Sequence, residues 1–325
     1  LAGKEENTIK EIEILHFLGK ISMSKSLYSK SLEYYTEAAT ISEEIENDSL
    51  LAFSFHKGGN VLLYQSKYNE ALQLYIKALD LREKINDIEG IAATTNNIGL
   101  IYWNLEQYDK AVEYYRLSME NEKKINNIDG ISTSLNNIAM IYWKAYKQLD
   151  TALQYLEESL VLKKQIDDEL GIATAYNNLG IISRTKGEYE NAISYFKESI
   201  KIYQEYESIE DIANGYSNIG SVYAYILQLD SSKFYYSNAL LLADSINSFK
   251  LMRDAYDGLA FISYTLNDFQ TAADLRSSGF ANVIIDKQWH KTKRMSPGFA
   301  ISYLEGLGSH VDFAGTLSGS FLNYP

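Results

Sequence analysis

A glycine or alanine recurs at Gly19, Gly59, Gly99, Ala139, Gly180, Gly220 and Ala260, spaced forty residues apart with one step of forty-one. A fixed period of that size marks a solenoid, in which units of paired helices pack chiefly on their neighbours along the chain. It overrides the usual division of 325 residues into two or three globular domains. Two prolines and nineteen glycines suit such a helix-rich chain with short turns.

The third unit shows the design. Residues 92–103 read as a helix containing Gly99, Glu106-Gln107 as the turn, and Tyr108 as the opening of a second helix. Twelve residues after each marker stand Ser31, Ala71, Ala111, Ala192, Ser232 and Ala272, with Ala152 thirteen after. Seven later come Ala38, Ala78, Ser118, Ser159, Ser199, Ala239 and Gly279. Small side chains there let antiparallel helices approach closely. Four after the first small residue comes a bulky one that fills the gap: Tyr35, Tyr75, Tyr115, Leu156, Phe196 or Tyr236. Asp87, Asn127 and Asp168 are expected to be helix N-caps, each with a glycine in the first turn, at Gly90, Gly130 and Gly171. The extra residue of the fourth unit falls in Lys144-Ala145-Tyr146-Lys147-Gln148 and predicts a local bulge between helices. Arg276 breaks the aromatic pattern, as end repeats often do.

The string Asn-Asn-Ile-Gly, then Tyr-Asp-Lys-Ala and Tyr-Tyr, resembles the tetratricopeptide repeat over roughly residues 10–285. The forty-residue period is similar to kinesin light chains, spindle-orientation scaffolds and the sensor-region arrays of Bacteroidota histidine kinases. The resemblance implies an all-α, right-handed superhelical solenoid of seven helical hairpins over 1–285, whose first helices line a concave wall.

On a helical wheel of the third unit's first helix, Thr95, Ile98, Gly99 and Tyr102 share the apolar packing face. Ala93, Asn96, Asn97, Leu100, Trp103 and Asn104 fall on a separate arc, the expected concave surface. That arc carries two asparagine columns: Asn96, Asn136 and Asn177 in one, Asn97, Asn137, Asn178 and Asn218 in the other. An amide offers donors and an acceptor, so a column of them fits the N–H and C=O groups of an extended peptide. Kinesin light chains and the O-GlcNAc transferase superhelix are similar in using groove asparagines this way. The bland alternative is that the second column joins one repeat to the next. Trp103 and Trp143 lie on the same arc, either to clamp apolar ligand groups or to pack on the adjoining repeat. Arg184 and Lys144 are the cations placed there. The lysines with which chaperone-binding relatives grip a C-terminal carboxylate are replaced by Ala93, Thr133, Thr174 and Asn214, which disfavours that clamp.

The composition excludes several classes. A net charge of −13 disfavours a nucleic-acid partner, which needs a basic face. Without cysteine there is no disulfide, thiolate nucleophile or Cys-ligated zinc. His16 and His56 take equivalent groove positions, yet nothing nearby completes a metal site. No nucleophile elbow, P-loop or metalloprotease motif is present, so no enzyme and no cofactor is expected. No run of eighteen apolar residues spans a bilayer.

Past residue 285 the character changes. A basic linker (286–298) with Lys287, Lys291, Lys293 and Arg294 leads to Pro297-Gly298. The 299–325 tail alternates with period two, as a β-hairpin does, and resembles strands of bacterial outer-membrane barrels. Membrane contact is expected only through this tail. The start, LAGKEENTIK, and the end at Tyr324-Pro325 read as a processed or shortened polypeptide. Three functions fit. The leading one is a non-enzymatic scaffold that holds an extended peptide or partner segment. The others are a structural subunit of a bacterial cell-envelope or filament assembly, with self-association, and the sensory region of a histidine-kinase-type protein. An envelope or periplasmic location is favoured over the cytoplasm.

Overall fold

The computed structural model of this chain describes residues 2–289. The linker beyond Trp289 and the hairpin-like tail lie outside the described residues. Within them every regular element is an α-helix, and the chain divides into two compact units on either side of Gly187. The first unit runs α1 (Ala2–Ser24), α2 (Tyr28–Glu44), α3 (Asp48–Tyr64), α4 (Tyr68–Lys84), α5 (Ile88–Asn104), α6 (Tyr108–Lys124), α7 (Ile128–Lys144), α8 (Leu149–Gln165) and α9 (Glu169–Lys186). The second runs α10 (Tyr189–Glu205), α11 (Ile209–Tyr225), α12 (Leu229–Ser245), α13 (Phe249–Thr265) and α14 (Phe269–Trp289). Within each unit a helix packs on the one before and the one after. Alternate first helices also touch, α1 on α3, α5 on α7 and α11 on α13. This is the nearest-neighbour packing of a solenoid.

The packing follows the sequence offsets. Ser31, Ala71, Ala111, Ala152, Ala192 and Ser232 are fully buried, as are the bulky residues Tyr75, Leu156 and Phe196. The tyrosine rings lie flat against the marker glycines. A Cβ on Gly19 would come within 2.7–2.9 Å of the Tyr35 ring, and one on Gly59 within 2.9–3.1 Å of Tyr75. A side chain at the marker and a ring on the second helix therefore exclude each other. Serine at the small positions does more than save space. Ser31 and Ser232 Oγ donate to the Gly19 and Gly220 carbonyls (both 2.8 Å), while Ser118 and Ser159 donate to Ala92 and Ser132 (2.9 and 2.8 Å). Each buried hydroxyl is thereby satisfied on the helix it packs against.

Most helices join through three residues, the middle one left-handed, as at Ser26 (φ 57°), Glu106 (58°) and Asn267 (62°). The following residue bonds back into the finished helix, Gln107 N–H to Tyr102 C=O at 2.9 Å and Asp87 N–H to Arg82 C=O at 2.9 Å. That is a Schellman closure, and its last residue also starts the next helix. Asn47, Asp87, Asn127 and Asp168 cap first helices through their side chains, the last three accepting from Gly90, Gly130 and Gly171 N–H as the sequence predicts. The extra residue of the fourth repeat lengthens its turn to Ala145–Gln148, where Tyr146 Oη donates to Asp109 Oδ1.

Candidate functional site

The asparagine columns form a ladder within the first unit. Asn137 Nδ2 donates to Asn96 Oδ1 (3.3 Å), and Asn178 Nδ2 donates to Asn136 Oδ1 (2.7 Å). Each bond ties a second-column residue to a first-column residue of the preceding repeat. The rung below is different: Asn97 Nδ2 donates to Asn60 Oδ1 (3.1 Å), which also accepts from Tyr75 Oη (2.6 Å). All of these asparagines are half-buried. Each rung uses one amino group and one carbonyl, so Asn96 and Asn136 keep an amino group and Asn137 and Asn178 keep a carbonyl for a further partner. Asn177, on α9, is likewise half-buried. Asn218 belongs to the second unit, on α11, half-buried there.

The tryptophans also face neighbouring repeats. Lys144 Nζ lies 4.9 Å above the Trp103 ring, whose edge meets Tyr108 at 5.5 Å. Trp143 Nε1 donates to Thr185 Oγ1 (3.2 Å) on α9. Lys144 is thus seated on an aromatic face of the preceding repeat. Arg184 is half-buried near the end of α9, and its carbonyl accepts from Gly187 N–H (3.0 Å).

The two histidines repeat one contact. His16 Nε2 meets Ser54 Oγ at 2.7 Å, and His56 Nδ1 meets Thr94 Oγ1 at 3.2 Å, each thirty-eight residues on. Burial, then the Lys57 charge, lowers the His16 pKa to about 4. Burial, then Arg82 and Lys57, lowers that of His56 to about 3. Both rings are therefore neutral at pH 7. Among the described residues no group of His, Asp and Glu is placed to hold a metal ion.

Beneath the caps lies a second buried set. Arg82 is buried and donates through Nη1 to Gly90 C=O (2.6 Å) and Thr94 Oγ1 (2.5 Å), with Nε 3.5 Å from Asp87 Oδ2. Lys163 takes the equivalent place in the fourth repeat, paired with Asp168 at 2.7 Å and with Asp129. Glu122 takes it in the third, beside Asn127, and burial raises its pKa. Arg82 and Lys163 stand under aspartate caps that match their charge, whereas Glu122 stands under the neutral Asn127, near Glu89 and Asp129, with Oε2 buried and unpartnered among the described residues.

Two adjoining cavities open on the first helices α1, α3 and α5. One, of about 620 Å³, is lined by His16, Phe17, Lys20, Phe53, Lys57 and Tyr64, among others. The next, of about 550 Å³, is walled by Asn97, Leu100 and Asn104 of α5 with Asn60, Leu63 and Tyr64 of α3. Asn60 and Tyr64 line both, so the cavities adjoin. The α5 wall comes from the arc that the helical wheel assigns to the concave side, and Thr95, Ile98 and Gly99 are buried on the other side. Asn60, Lys57 and Tyr64 escape a reading based on the asparagine columns, because α3 carries His56 and Lys57 where α5 carries Asn96 and Asn97.

Stacked helical hairpins with an amide-lined face define a helical-repeat protein. The profile described as tetratricopeptide repeat matches residues 11–84, 90–165, 130–205 and 171–240, and a second profile of that description matches 56–120. The chain belongs to the tetratricopeptide repeat family. No curated protein matches it. Among solved structures it resembles the apo quorum sensor NprR from B. thuringiensis, with a TM-score of 0.70 at 17% identity, covering 85% of this chain and 77% of that one. It resembles the Rap conjugation gene regulator of plasmid pLS20 in complex with the Phr* peptide, with a TM-score of 0.61 at 17% identity, covering 89% and 78%. The TPR-like repeats of a putative kinesin light chain from Podosopora anserina give a TM-score of 0.52 at 15% identity, covering 61% and 96%. At these identities the likeness is one of fold.

Proposed function

We propose that this chain is a non-enzymatic scaffold that holds an extended peptide, or an extended segment of a partner protein, along the first helices of its repeats. The observation that carries this reading is the adjoining pair of cavities on α1, α3 and α5, with Phe17 and Tyr64 63% and 69% exposed on their walls. Large apolar groups held open to water in a concavity gain free energy when a ligand covers them. Beside them Asn97, whose amino group donates to Asn60, keeps a carbonyl that suits a peptide N–H. The Rap regulator that shares the fold was solved with a peptide, which makes a peptide the natural ligand class to try. Asn96, Asn136, Asn137, Asn177, Asn178, Asn218, Trp103, Trp143 and Arg184 would extend the contact surface.

The test is selection from a random peptide library on the full chain, followed by calorimetry with the recovered sequences. Tyr64→Ala and Leu100→Glu should each weaken binding about tenfold or more while leaving the helical circular dichroism unchanged. Peptides that bind both variants as tightly as the parent would exclude this face. The sensory-region reading uses the same groove attached to a kinase. The envelope-subunit reading turns on the 299–325 segment. Recovering the native polypeptide with its bound partners separates the three.

A further inference from the structure

The chain carries 43 acidic residues against 30 basic ones, so an average concavity on its surface is acidic. The cavity on α1 and α3 departs from this. Its lining includes Lys20 and Lys57 and, among the described residues, no aspartate or glutamate. Lys57 is half-buried, with Nζ 5.1 Å from the centre of the Phe53 ring, and among the described residues it forms no ion pair with a carboxylate. Some lysines elsewhere meet a counter-charge, Lys84 with Asp48, Lys163 with Asp129 and Asp168, and Lys186 with Asp150, while others, such as Lys110 and Lys144, lie over rings as Lys57 does. Two cations, Lys20 and Arg82, are the charges that act on Lys57. Burial, then the positive charges of Arg82 and Lys20, lowers its pKa. His16 on the same wall is neutral at pH 7 and adds no further positive charge.

We infer that this cavity is the specificity pocket of the groove and takes an acidic side chain of the bound peptide, between Lys20 and Lys57. The inference rests on the peptide-binding reading above and names the chemistry of one subsite. Apolar groups flank the two ammonium groups, Phe17 on α1 and Phe53, Val61 and Tyr64 on α3. The matching ligand segment is therefore an aspartate or glutamate with an aromatic or aliphatic neighbour. A cavity of about 620 Å³ holds more than one residue, as a passing chain requires. The partly desolvated site makes the ion pair stronger than one on open surface.

The experiment pans a library of random peptides, displayed between fixed flanks so that every carboxylate is a side chain, against the full chain. Recovered peptides should concentrate Asp or Glu beside an apolar residue. Synthetic, amidated versions should lose about tenfold in affinity when that acid becomes its amide, and the same when the protein carries Lys57→Gln. Lys20→Gln should act in the same direction. Lys20 is exposed, so this variant keeps the test sound if Lys57→Gln disturbs folding. Lys123→Gln, exposed on α6, should change nothing. Binders without an acidic preference, or acidic binders indifferent to both lysine variants, would overturn the inference and leave the groove intact. A library that yields no binder overturns both.

Discussion

Tyr115 fills the space that a side chain on Gly99 would need: a Cβ there would sit 2.8 Å from two carbons of its ring. The helix interior favours alanine over glycine by about 1 kcal/mol. Overpacking a ring with no room to move costs about 1–3 kcal/mol, and Tyr115 is only 2% exposed. Gly99→Ala should therefore destabilise the protein by up to about 2 kcal/mol in urea unfolding. The fourth repeat carries the compensated pair, Ala139 with Leu156 at the equivalent places, both fully buried. Adding Tyr115→Leu to Gly99→Ala should cost less than the sum of the two single changes. Additive effects would show that the ring and the marker are not coupled.

The amide ladder has a direction that mutagenesis can read. Asn136 accepts from Asn178, so Asn136→Asp keeps an acceptor in the rung, whereas Asn178→Asp sets a carboxylate against a carbonyl. Asn136→Asp should leave the unfolding midpoint within about 0.5 kcal/mol and Asn178→Asp should lower stability by about 1–2 kcal/mol. The first change also removes the spare amino group, so it should weaken peptide binding without weakening the fold. Equal losses of stability in the two variants would refute the bond polarity.

Acid should destabilise the first unit through His56. The folded ring titrates near 3 and faces Arg82, Lys57, Thr94 and Tyr75, none of which offers a negative charge. An unfolded histidine titrates near 6.5, so below that pH the unfolded chain takes up a proton that the folded one refuses. Stability from this source is complete above about pH 6.5 and falls on acidification by up to about 1.4 kcal/mol per pH unit. His56→Asn, which copies Asn96 of the next repeat, should remove that slope. Unfolding curves at pH 6.5 and about pH 5 should then differ less for the variant than for the parent, by up to about 2 kcal/mol. An unchanged slope would place the acid sensitivity elsewhere.

Gly90 is a first-turn glycine that alanine cannot replace. A Cβ there would lie 2.0 Å from Asp87 Oδ2 and 2.6 Å from Arg82 Nε. The cap and the buried arginine would both have to move, against a propensity gain of about 1 kcal/mol. Gly90→Ala should lose about 2 kcal/mol net, and calorimetric melting should show a lower midpoint. A rise would mean that the arginine relaxes freely.

Much of the fold is legible before any coordinates, because the repeat offsets encode local contacts. Gly99 with Tyr115 and Asp87 with Gly90 N–H lie within one hairpin or one turn, and their spacing alone names the partners. The second asparagine column as a link between repeats is also visible in the pattern. Contacts that cross repeats with unlike residues are harder to see. Asn60 stands one residue past its marker, outside either column, yet it accepts from both Asn97 and Tyr75. Lys57 and Phe17 sit where later repeats place asparagine, so a reading centred on the commonest residue passes over the cavity they line. The burial of Arg82 under the following cap depends on how one helix pair seats on the next, and no offset within one repeat shows it.

The charged residues under three of the caps have a consequence for the order of the repeats. Arg82 precedes Asp87, Glu122 precedes Asn127 and Lys163 precedes Asp168, so these three junctions are each keyed to the module that follows. Transposing two modules would bring Glu122 beneath an aspartate, two carboxylates with no cation between them. The units look alike but are not interchangeable: their order is written into the seams.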